Sequence, residues 1–185
     1  MRPHGRLLRY SPKTGKAEVL LGNLHFANGV AVSPEGDYVL VNETWKYRIL
    51  RYWIHGPRAG QAEVFADNLP GFPDNLAVDE QGRYWVAFPT LRNPKVDAMH
   101  PRPWLKDLVA KLPDSLKPAP QEYGFVIAFD RDGEVITSLH DTRGTHLQEI
   151  TSVNPHDGNL YFGSLHNDRI GRLPLQAIPG LGESN

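Results

Sequence analysis

The sequence contains no cysteine, no long apolar run and no excess of charge of one sign. Without cysteine the chain has no disulfide, no thiolate metal ligand and no cysteine nucleophile, so oxygen and imidazole remain as side-chain ligands. The 20 basic and 21 acidic residues are spread along the chain and give a net charge of −1, which argues against a nucleic-acid partner. No apolar run reaches membrane-spanning length, so this chain carries no strong membrane signal. A Gly-x-Ser-x-Gly elbow is also absent, which disfavours a serine hydrolase.

The sequence does contain an internal repeat, in which an apolar run is followed by a turn with glycine and a second apolar run. This order occurs in residues 28–42, again in residues 74–87 and a third time in residues 151–164. Short apolar runs that alternate with such turns are typical of β-hairpins. Another pair of strand-like runs, residues 6–10 and 16–21, precedes the first copy and predicts a hairpin at the start of the chain.

The turn glycines align the copies with one another. Gly82 follows Asp74 at the interval that separates Gly36 from Asn28, so Asp74 and Asn28 are predicted to be equivalent positions. The same interval, counted back from the turn glycine of the third copy, leads to Ile150, which has no ligand atom.

The repeat predicts an all-β fold built from β-propeller blades, each a four-stranded antiparallel sheet. The distance between successive turn glycines falls in the range of about 40 to 50 residues expected for one blade. An insertion at residues 90–122 explains the longer gap to the third copy, and a further hairpin follows it. Because a ring needs about 4 to 8 blades, the three and a fraction predicted here indicate a single partial propeller domain over residues 1–185.

The insertion contains the only helical pattern that the sequence suggests. Residues 103–112 place apolar side chains on one face at helical spacing, with Pro103 in the first turn, and the rest of the insertion is interpreted as Pro-rich loop. The helix is predicted to pack on the propeller face. A lid over the central pocket and a contact with lipid are the alternatives.

The stretch 68–76 carries the most informative polar residues. Asp74 and Asn75 place a carboxylate and an amide directly before an apolar strand, and two prolines stiffen the approach to them. Such a rigid pair of oxygen donors suits a metal ion or a polar ligand. The alternative is that Asp and Asn before a strand are simple turn formers.

Nearly the whole chain resembles the strictosidine-synthase-like proteins, six-bladed propellers related to the paraoxonases and to the gluconolactonase and regucalcin group. The resemblance rests on a set of short motifs: Phe26-Ala-Asn-Gly-Val, Val41-Asn-Glu-Thr, Arg51-Tyr-Trp, Leu69-Pro-Gly-Phe-Pro-Asp-Asn-Leu, Tyr84-Trp-Val, Arg102-Pro-Trp and His156-Asp-Gly-Asn-Leu-Tyr. It implies that this chain corresponds to the C-terminal half of the ring and that the other half precedes Met1.

The resemblance also implies a divalent cation, usually Ca²⁺, on the floor of the channel. Asn28 matches an asparagine of the family's ligand set, and Asp74 with Asn75 matches its Asp-Asn pair. Carboxylate and amide oxygens suit a hard cation, but Ca²⁺ takes about 6 to 8 oxygen ligands, so these three side chains would supply only part of the set. Glu43 could also approach the channel, although a solvated pair with Lys46 or Arg48 is favoured.

The strictosidine synthases use a glutamate in a Gly-x-His-x-Glu stretch, which matches residues 144–148 here. His146 is retained and is a candidate base, but Gln148 stands in the place of the glutamate and can neither accept nor deliver a proton. Glu149 is adjacent, and strand alternation would point it to the opposite face. This pattern argues against the amine-aldehyde condensation. The remaining histidines show no ligand spacing and are interpreted as surface or turn residues.

The leading hypothesis is therefore a metal-dependent hydrolase of small esters or lactones, of the arylesterase or lactonase type. The ligands would be Asn28, Asp74 and Asn75, with His146, Gln148 and Glu43 near the substrate. The alternative is a non-catalytic propeller that binds a ligand or acts as a scaffold. Unpaired blade edges are expected to favour association of the chain with other chains.

Overall fold

The structure, a computed structural model, describes residues 2–99, 111 and 122–181, and most of its regular elements are strands. The strands are β1 Gly5–Ser11, β2 Lys16–Leu24, β3 Ala27–Val32, β4 Tyr38–Glu43, β5 Arg48–Trp53, β6 Ala62–Ala66, β7 Leu76–Val78, β8 Tyr84–Ala87, β9 Gly124–Phe129, β10 Val135–Asp141, β11 Ile150–His156, β12 Asn159–Ser164 and β13 Gly171–Pro174. Helix α1 spans Pro94–Met99, and single 3-10 turns occur at Thr44–Lys46 and Leu175–Ala177.

Within each sheet, strands that are consecutive in sequence pair antiparallel, as the hairpin pattern predicts. β1 and β2 form a two-stranded hairpin, β3 to β6 form sheet 1, β7 to β10 form sheet 2, and β11 to β13 form sheet 3. The prediction of repeated antiparallel sheets, four-stranded where complete, is confirmed. The first strands of the three sheets lie side by side, with β7 between β3 and β11. We call β3, β7 and β11 the inner strands.

The two central strands of sheet 2, β8 and β9, are buried on both faces, which explains why they are apolar throughout. Successive side chains of a strand point to opposite faces. In β8, Tyr84 and Val86 accordingly join the core shared with sheet 1, whereas Trp85 and Ala87 join the core shared with sheet 3. The sheets therefore stack face to face through two apolar layers. A hydrogen bond of 2.8 Å from the Tyr84 hydroxyl to the Tyr38 hydroxyl connects the first two sheets.

The turn glycines on which the repeats align have the same conformation. Gly36 and Gly82 have φ angles of 72° and 77°, a left-handed region in which glycine carries no steric penalty. The turn of the third copy is tighter, because His156 pairs with Asn159 and leaves only two residues between them. Because this turn is shorter, residues of the third inner strand lie closer in sequence to the turn glycine than the equivalent residues of the other two copies.

The predicted insertion lies between β8 and β9, within sheet 2. Its start is anchored to the turn between β4 and β5 of sheet 1, since the Tyr47 hydroxyl donates to Asp97 at 2.8 Å. Within the insertion, Arg92 Nε donates to the same carboxylate at 3.0 Å. Helix α1 lies in the stretch interpreted from the sequence as Pro-rich loop, so that part of the interpretation is wrong. The helix predicted at 103–112 lies outside the described residues. Among the residues that the structure describes, no helix has the length and apolar character needed to cross a membrane.

Candidate metal site

The structure brings the three predicted ligands together at the starts of the inner strands. Asn28 is the second residue of β3, and Asp74 and Asn75 directly precede β7. The backbone N–H of Gly29 donates to the Asp74 carbonyl oxygen at 2.9 Å, and the N–H of Asn75 donates to the Thr151 carbonyl oxygen at 3.1 Å. The site therefore lies where the residues that precede β7 are hydrogen-bonded to β3 on one side and to β11 on the other.

These bonds also identify the third equivalent position. In both bonds the N–H of the residue after one repeat position donates to the carbonyl oxygen of the repeat position on the next inner strand. Gly29 follows Asn28 and bonds Asp74, and Asn75 follows Asp74 and bonds Thr151. Thr151 therefore corresponds to Asp74 and Asn28. The assignment of this position to Ile150 is wrong by one residue. The tight turn of the third copy shortens the interval between the site position and the turn glycine. Ile150 is buried in the apolar core between sheets 2 and 3. The third inner strand contributes the backbone oxygen of Thr151 to the hydrogen bonds of the site.

The side chains of the site contact one another directly. The amide of Asn28 is hydrogen-bonded to the Asp74 carboxylate. Asn75 Nδ2 donates to Asp74 Oδ1 at 3.2 Å and to the Thr151 carbonyl oxygen at 2.9 Å. A carboxylate flanked by two amides is thus held by the backbone of the neighbouring strands.

Asp74 has no positive partner in this arrangement. Burial raises the pKa of the Asp74 carboxyl, and the hydrogen bond from Asn28 only partly opposes the rise. In the part of the chain that the structure describes, no basic side chain forms an ion pair with it. A bound cation would reverse this balance, because an opposite charge close by favours the ionised form.

The residues present fit part of a hard-cation site. One carboxylate and two side-chain amides provide oxygen atoms of the kind that Ca²⁺ prefers, although fewer than the roughly 6 to 8 it takes. Among the described residues, no group of three or more His, Asp or Glu side chains could hold a metal ion. Besides the Asp74 carboxylate, any ion at this position would therefore depend on amide and backbone oxygens, and on water or ligands outside the described residues.

Asn42 holds the backbone of the site in place and is not among the residues predicted from the sequence. It is fully buried at the end of β4, and its Nδ2 donates to the Asp74 carbonyl oxygen at 2.6 Å. Its Oδ1 is buried and has no hydrogen-bond partner among the described residues, an unusual state for a buried oxygen. The signal available in the sequence was an amide directly after an apolar strand.

The approach to Asp74 is rigid, as its prolines predict. Gly71 forms an isolated bridge with Leu91, and the Thr44 hydroxyl donates to the Pro73 carbonyl oxygen at 2.7 Å. Gly29 packs so closely on this segment that an added Cβ would lie 2.4 Å from the Asp74 carbonyl oxygen. The loop is thus held from sheet 1 and from the start of the insertion.

Glu43 lies at the same end of sheet 1, but it is buried rather than solvated. Its side chain is 0% exposed, and Arg48 Nε donates to it at 2.6 Å. Burial opposes ionisation, yet the hydrogen bonds from His25 and Arg48 and the charge of Arg48 lower the pKa of Glu43. The predicted pairing with Arg48 is therefore observed, but the solvated state is wrong. Through these bonds Glu43 connects His25, which precedes β3, to Arg48, which follows β4.

His146 and Gln148 lie in a loop that precedes β11. The carboxylate of Asp141 accepts the backbone N–H groups of Thr145, His146 and Leu147, which closes this loop. The His146 ring is exposed, and the backbone N–H of Gln148 donates to Asn167 Oδ1 at 2.9 Å. Both residues lie near the start of the third inner strand, and the structure gives His146 no bonded side-chain partner among the described residues.

The expected alternation at Glu149 does not hold. Glu149 precedes β11 and has a φ angle of 49°, so it is not part of an extended strand. Its carboxylate is buried and bonds Nδ1 of His166. His25 likewise bonds a buried carboxylate, that of Glu43. The interpretation of these two histidines as plain surface or turn residues is therefore incomplete, and neither pair has a sequence spacing that reveals it.

Face-to-face stacking of antiparallel sheets, with inner strands side by side and polar residues at their starts, defines the protein as a β-propeller with a candidate ion site at one end of the inner strands. Comparison of the fold agrees. A gluconolactonase from Xanthomonas campestris superposes with a TM-score of 0.62 at 18% identity, over 92% of this chain and 44% of that one. Regucalcin from Agrobacterium tumefaciens, a calcium-binding protein, gives 0.57 at 19% identity, over 91% of this chain and 47% of that one.

The chain belongs to the strictosidine-synthase-like family. The strictosidine synthase family model matches residues 1–57. The adipocyte plasma membrane-associated protein of Homo sapiens is 41% identical over 180 residues, which cover 94% of this chain and 43% of that protein. Protein strictosidine synthase-like 13 of Arabidopsis thaliana is 34% identical over 92% of this chain and 40% of its own length. The chain thus spans less than half the length of these relatives.

Proposed function

We propose that this chain carries part of the active site of a hydrolase that uses a divalent cation to act on small esters or lactones. The observation that supports the proposal is the Asp74 carboxylate, which is partly buried between two amides where three inner strands meet and has no basic partner among the described residues. A carboxylate in that state is suited to a cation. Membership of a propeller family whose fold is shared with a gluconolactonase supports the substrate class.

Each ligand has a defined task in this proposal. Asp74 would bind the ion through its carboxylate, and Asn28 and Asn75 would bind it through their amide oxygens. Such an ion supplies Lewis-acid chemistry, since it can polarise a carbonyl oxygen or lower the pKa of a bound water. The Thr151 carbonyl oxygen orients the Asn75 amide, and Asn42 holds the backbone of Asp74 in place. Ca²⁺ is the first candidate because every donor is an oxygen.

A non-catalytic propeller is the second candidate function, and one observation favours it. Asn28, Asp74 and Asn75 already satisfy one another by hydrogen bonds, as residues with a purely structural role would. An ion at this site would then stiffen the ring without turning over a substrate. The amine condensation of the strictosidine synthases is disfavoured, because Gln148 cannot transfer a proton.

The test combines ion binding with turnover. The thermal unfolding of the wild-type protein and of Asp74→Ala is followed during a calcium titration, and both are assayed on phenyl acetate and a panel of simple lactones. We expect calcium to raise the unfolding temperature of the wild type, because an ion that binds only the folded state stabilises it by about 2.7 kcal/mol at one hundred times its dissociation constant. Asp74→Ala should lose both the shift and the hydrolysis.

Asp132→Ala is the matched control, because Asp132 is an exposed acidic residue in the turn between β9 and β10 and its carboxylate forms no bond among the described residues. It should keep both properties. A calcium shift without turnover of any ester or lactone would favour the non-catalytic propeller. No shift and no turnover in the wild type would remove the support for an ion site in this chain.

A further inference from the structure

Glu149 and His166 form a carboxylate–imidazole pair that the proposed ion site does not use. The Glu149 side chain is 7% exposed and its carboxylate bonds Nδ1 of His166, whereas the imidazole is 65% exposed. Glu149 has a φ angle of 49°, a left-handed conformation that is uncommon for residues other than glycine. Such conformations persist only where the surrounding structure enforces them, and they cluster at functional sites.

The surrounding structure enforces this pair through several hydrogen bonds. The N–H of Glu149 donates to the Tyr123 carbonyl oxygen at 3.0 Å, and the N–H of Leu165 donates to the Glu149 carbonyl oxygen at 3.2 Å. Asn167 Oδ1 accepts hydrogen bonds from the backbone of Gln148 and from the hydroxyl of Ser164. The loop after β12 is thereby folded back onto the residues that precede β11, and His166 is held above Glu149.

This pair lies at the same end of the inner strands as Asp74. Ile150, the residue after Glu149, pairs with Ser164 at the end of β12, so the loop that carries His166 begins beside the start of β11. Thr151 follows Ile150, and its carbonyl oxygen accepts both hydrogen bonds from Asn75. Glu149 is thus only two residues along the chain from the carbonyl oxygen that holds Asn75.

The chemistry of the pair follows from which nitrogen is bonded. A carboxylate that accepts from Nδ1 fixes the neutral imidazole with its proton on Nδ1, so the lone pair is on Nε2. An exposed imidazole with this orientation can accept a proton from water through Nε2.

The other histidines at this end are less suited to the role. His25 bonds Glu43, but Arg48 already balances that charge, and the His25 side chain is only 26% exposed. In the described part of the chain, the Glu149 carboxylate has no other cationic partner than His166. His166 is therefore the exposed imidazole that a buried, otherwise unbalanced carboxylate orients.

We propose that His166 is the general base for ester or lactone hydrolysis at the Asp74 site and that Glu149 is its positioning residue, an inference that rests on the proposed function. Nε2 takes a proton from water as the water oxygen bonds to the carbonyl carbon and the carbonyl π electrons move to oxygen. When the carbonyl re-forms, the bond to the alkoxy oxygen breaks and that oxygen takes the proton from the imidazolium. An acid and an alcohol result, or one hydroxy acid from a lactone.

The test has one arm that does not need turnover. Imidazole ¹⁵N chemical shifts report which nitrogen of His166 carries the proton. We expect the Nδ1–H form in the wild type and its loss in Glu149→Met, which keeps the length of the side chain but removes the acceptor. An Nε2–H form in the wild type would overturn the positioning role of Glu149.

The second arm is kinetic and uses phenyl acetate. His166→Ala should lower kcat by about 10²- to 10⁴-fold with little change in KM, and added imidazole should restore part of the rate. Glu149→Met should lower kcat by a smaller factor. His156→Ala is the matched control, since His156 is 74% exposed and pairs with the exposed Asp157 at the opposite end of β11; it should keep the wild-type kcat.

The outcomes separate this inference from the proposed function. If the wild type hydrolyses esters in a calcium-dependent reaction and His166→Ala is as active as the wild type, the inference is wrong and the proposed function stands. If the wild type hydrolyses none of the substrates, both are wrong. A loss of kcat in His166→Ala that is not rescued by imidazole, together with a lowered unfolding temperature, would show a structural role for His166 and overturn the inference.

Discussion

At the scale of single residues, buried or half-buried carboxylates organise this end of the propeller, and their partners decide what each one does. Glu43 is paired with Arg48 and stabilises the local fold, whereas Asp74 has only amide donors among the described residues. Asp141 is a third case. Burial raises the pKa of its carboxyl, but hydrogen bonds from the backbone of His146, Leu147, Thr145 and Arg143 outweigh burial and lower the pKa to about 2.

The Asp141 carboxylate should therefore stabilise the fold in a pH-dependent manner. Because its pKa is lower in the folded state than its ordinary value of 3.8, the stabilisation is complete above that value and is lost as the pH falls towards 2. We expect Asp141→Asn to lower the free energy of unfolding at pH 7 by about 1 to 2 kcal/mol, since charged acceptors are stronger than neutral ones. Urea unfolding at pH 7, 4 and 2.5 measures this difference.

Asp132→Asn should change the stability little at any of these pH values, because Asp132 is exposed and its carboxylate accepts no bond in the described part of the chain. A destabilisation by Asp141→Asn that is as large at pH 2.5 as at pH 7 would contradict the role assigned to the charge.

At the scale of elements, the site depends on how closely β3 approaches the residues that precede β7. Gly29 makes this approach possible. An added Cβ would lie 2.4 Å from the Asp74 carbonyl oxygen and 2.7 Å from Asn75 Cα, both backbone atoms that cannot move independently of the loop. The absence of a side chain at position 29 thus positions two of the three candidate ligands.

Gly29→Ala should separate the two inner strands and lower the free energy of unfolding by about 1 to 3 kcal/mol, the usual range for overpacking. It should also reduce the calcium-dependent rise in unfolding temperature, because Asp74 and Asn75 would shift. Gly22→Ala in β2 is the matched control, since a Cβ there meets nothing within 4 Å. Equal effects of the two substitutions on stability and on the calcium shift would show that strand separation is not what matters.

At the scale of the whole molecule, the hairpin of β1 and β2 carries an exposed apolar face. Leu8 pairs with Val19 across the hairpin, and their side chains are 55% and 53% exposed; Tyr10, on the same face, is 63% exposed. A two-stranded sheet with an uncovered apolar face favours association with another surface. We infer that this face binds a second copy of the chain when the protein is purified.

The expected result is a mass above that of the monomer, rising with protein concentration, in size-exclusion chromatography with light scattering. The double variant Leu8→Lys and Val19→Lys should shift the mass towards the monomer. Val135→Lys on β10 is the control, because Val135 is 59% exposed but lies on a different sheet. A monomer at all concentrations, or an equal effect of the control, would contradict association through the hairpin.

The sequence by itself determined the sheet architecture and two of the equivalent site positions. Both follow from local properties: strand alternation and turn chemistry act over a few residues, and the constant interval to Gly36 and Gly82 placed Asn28 and Asp74 in the same register. The tertiary structure decided the rest. Thr151 replaced Ile150 because turn length sets the register, and the burial of Glu43 depends on sheet stacking. The pairing of Glu149 with His166 depends on the left-handed conformation of Glu149 and on the loop that folds back towards it. No periodic pattern in the sequence predicts either feature.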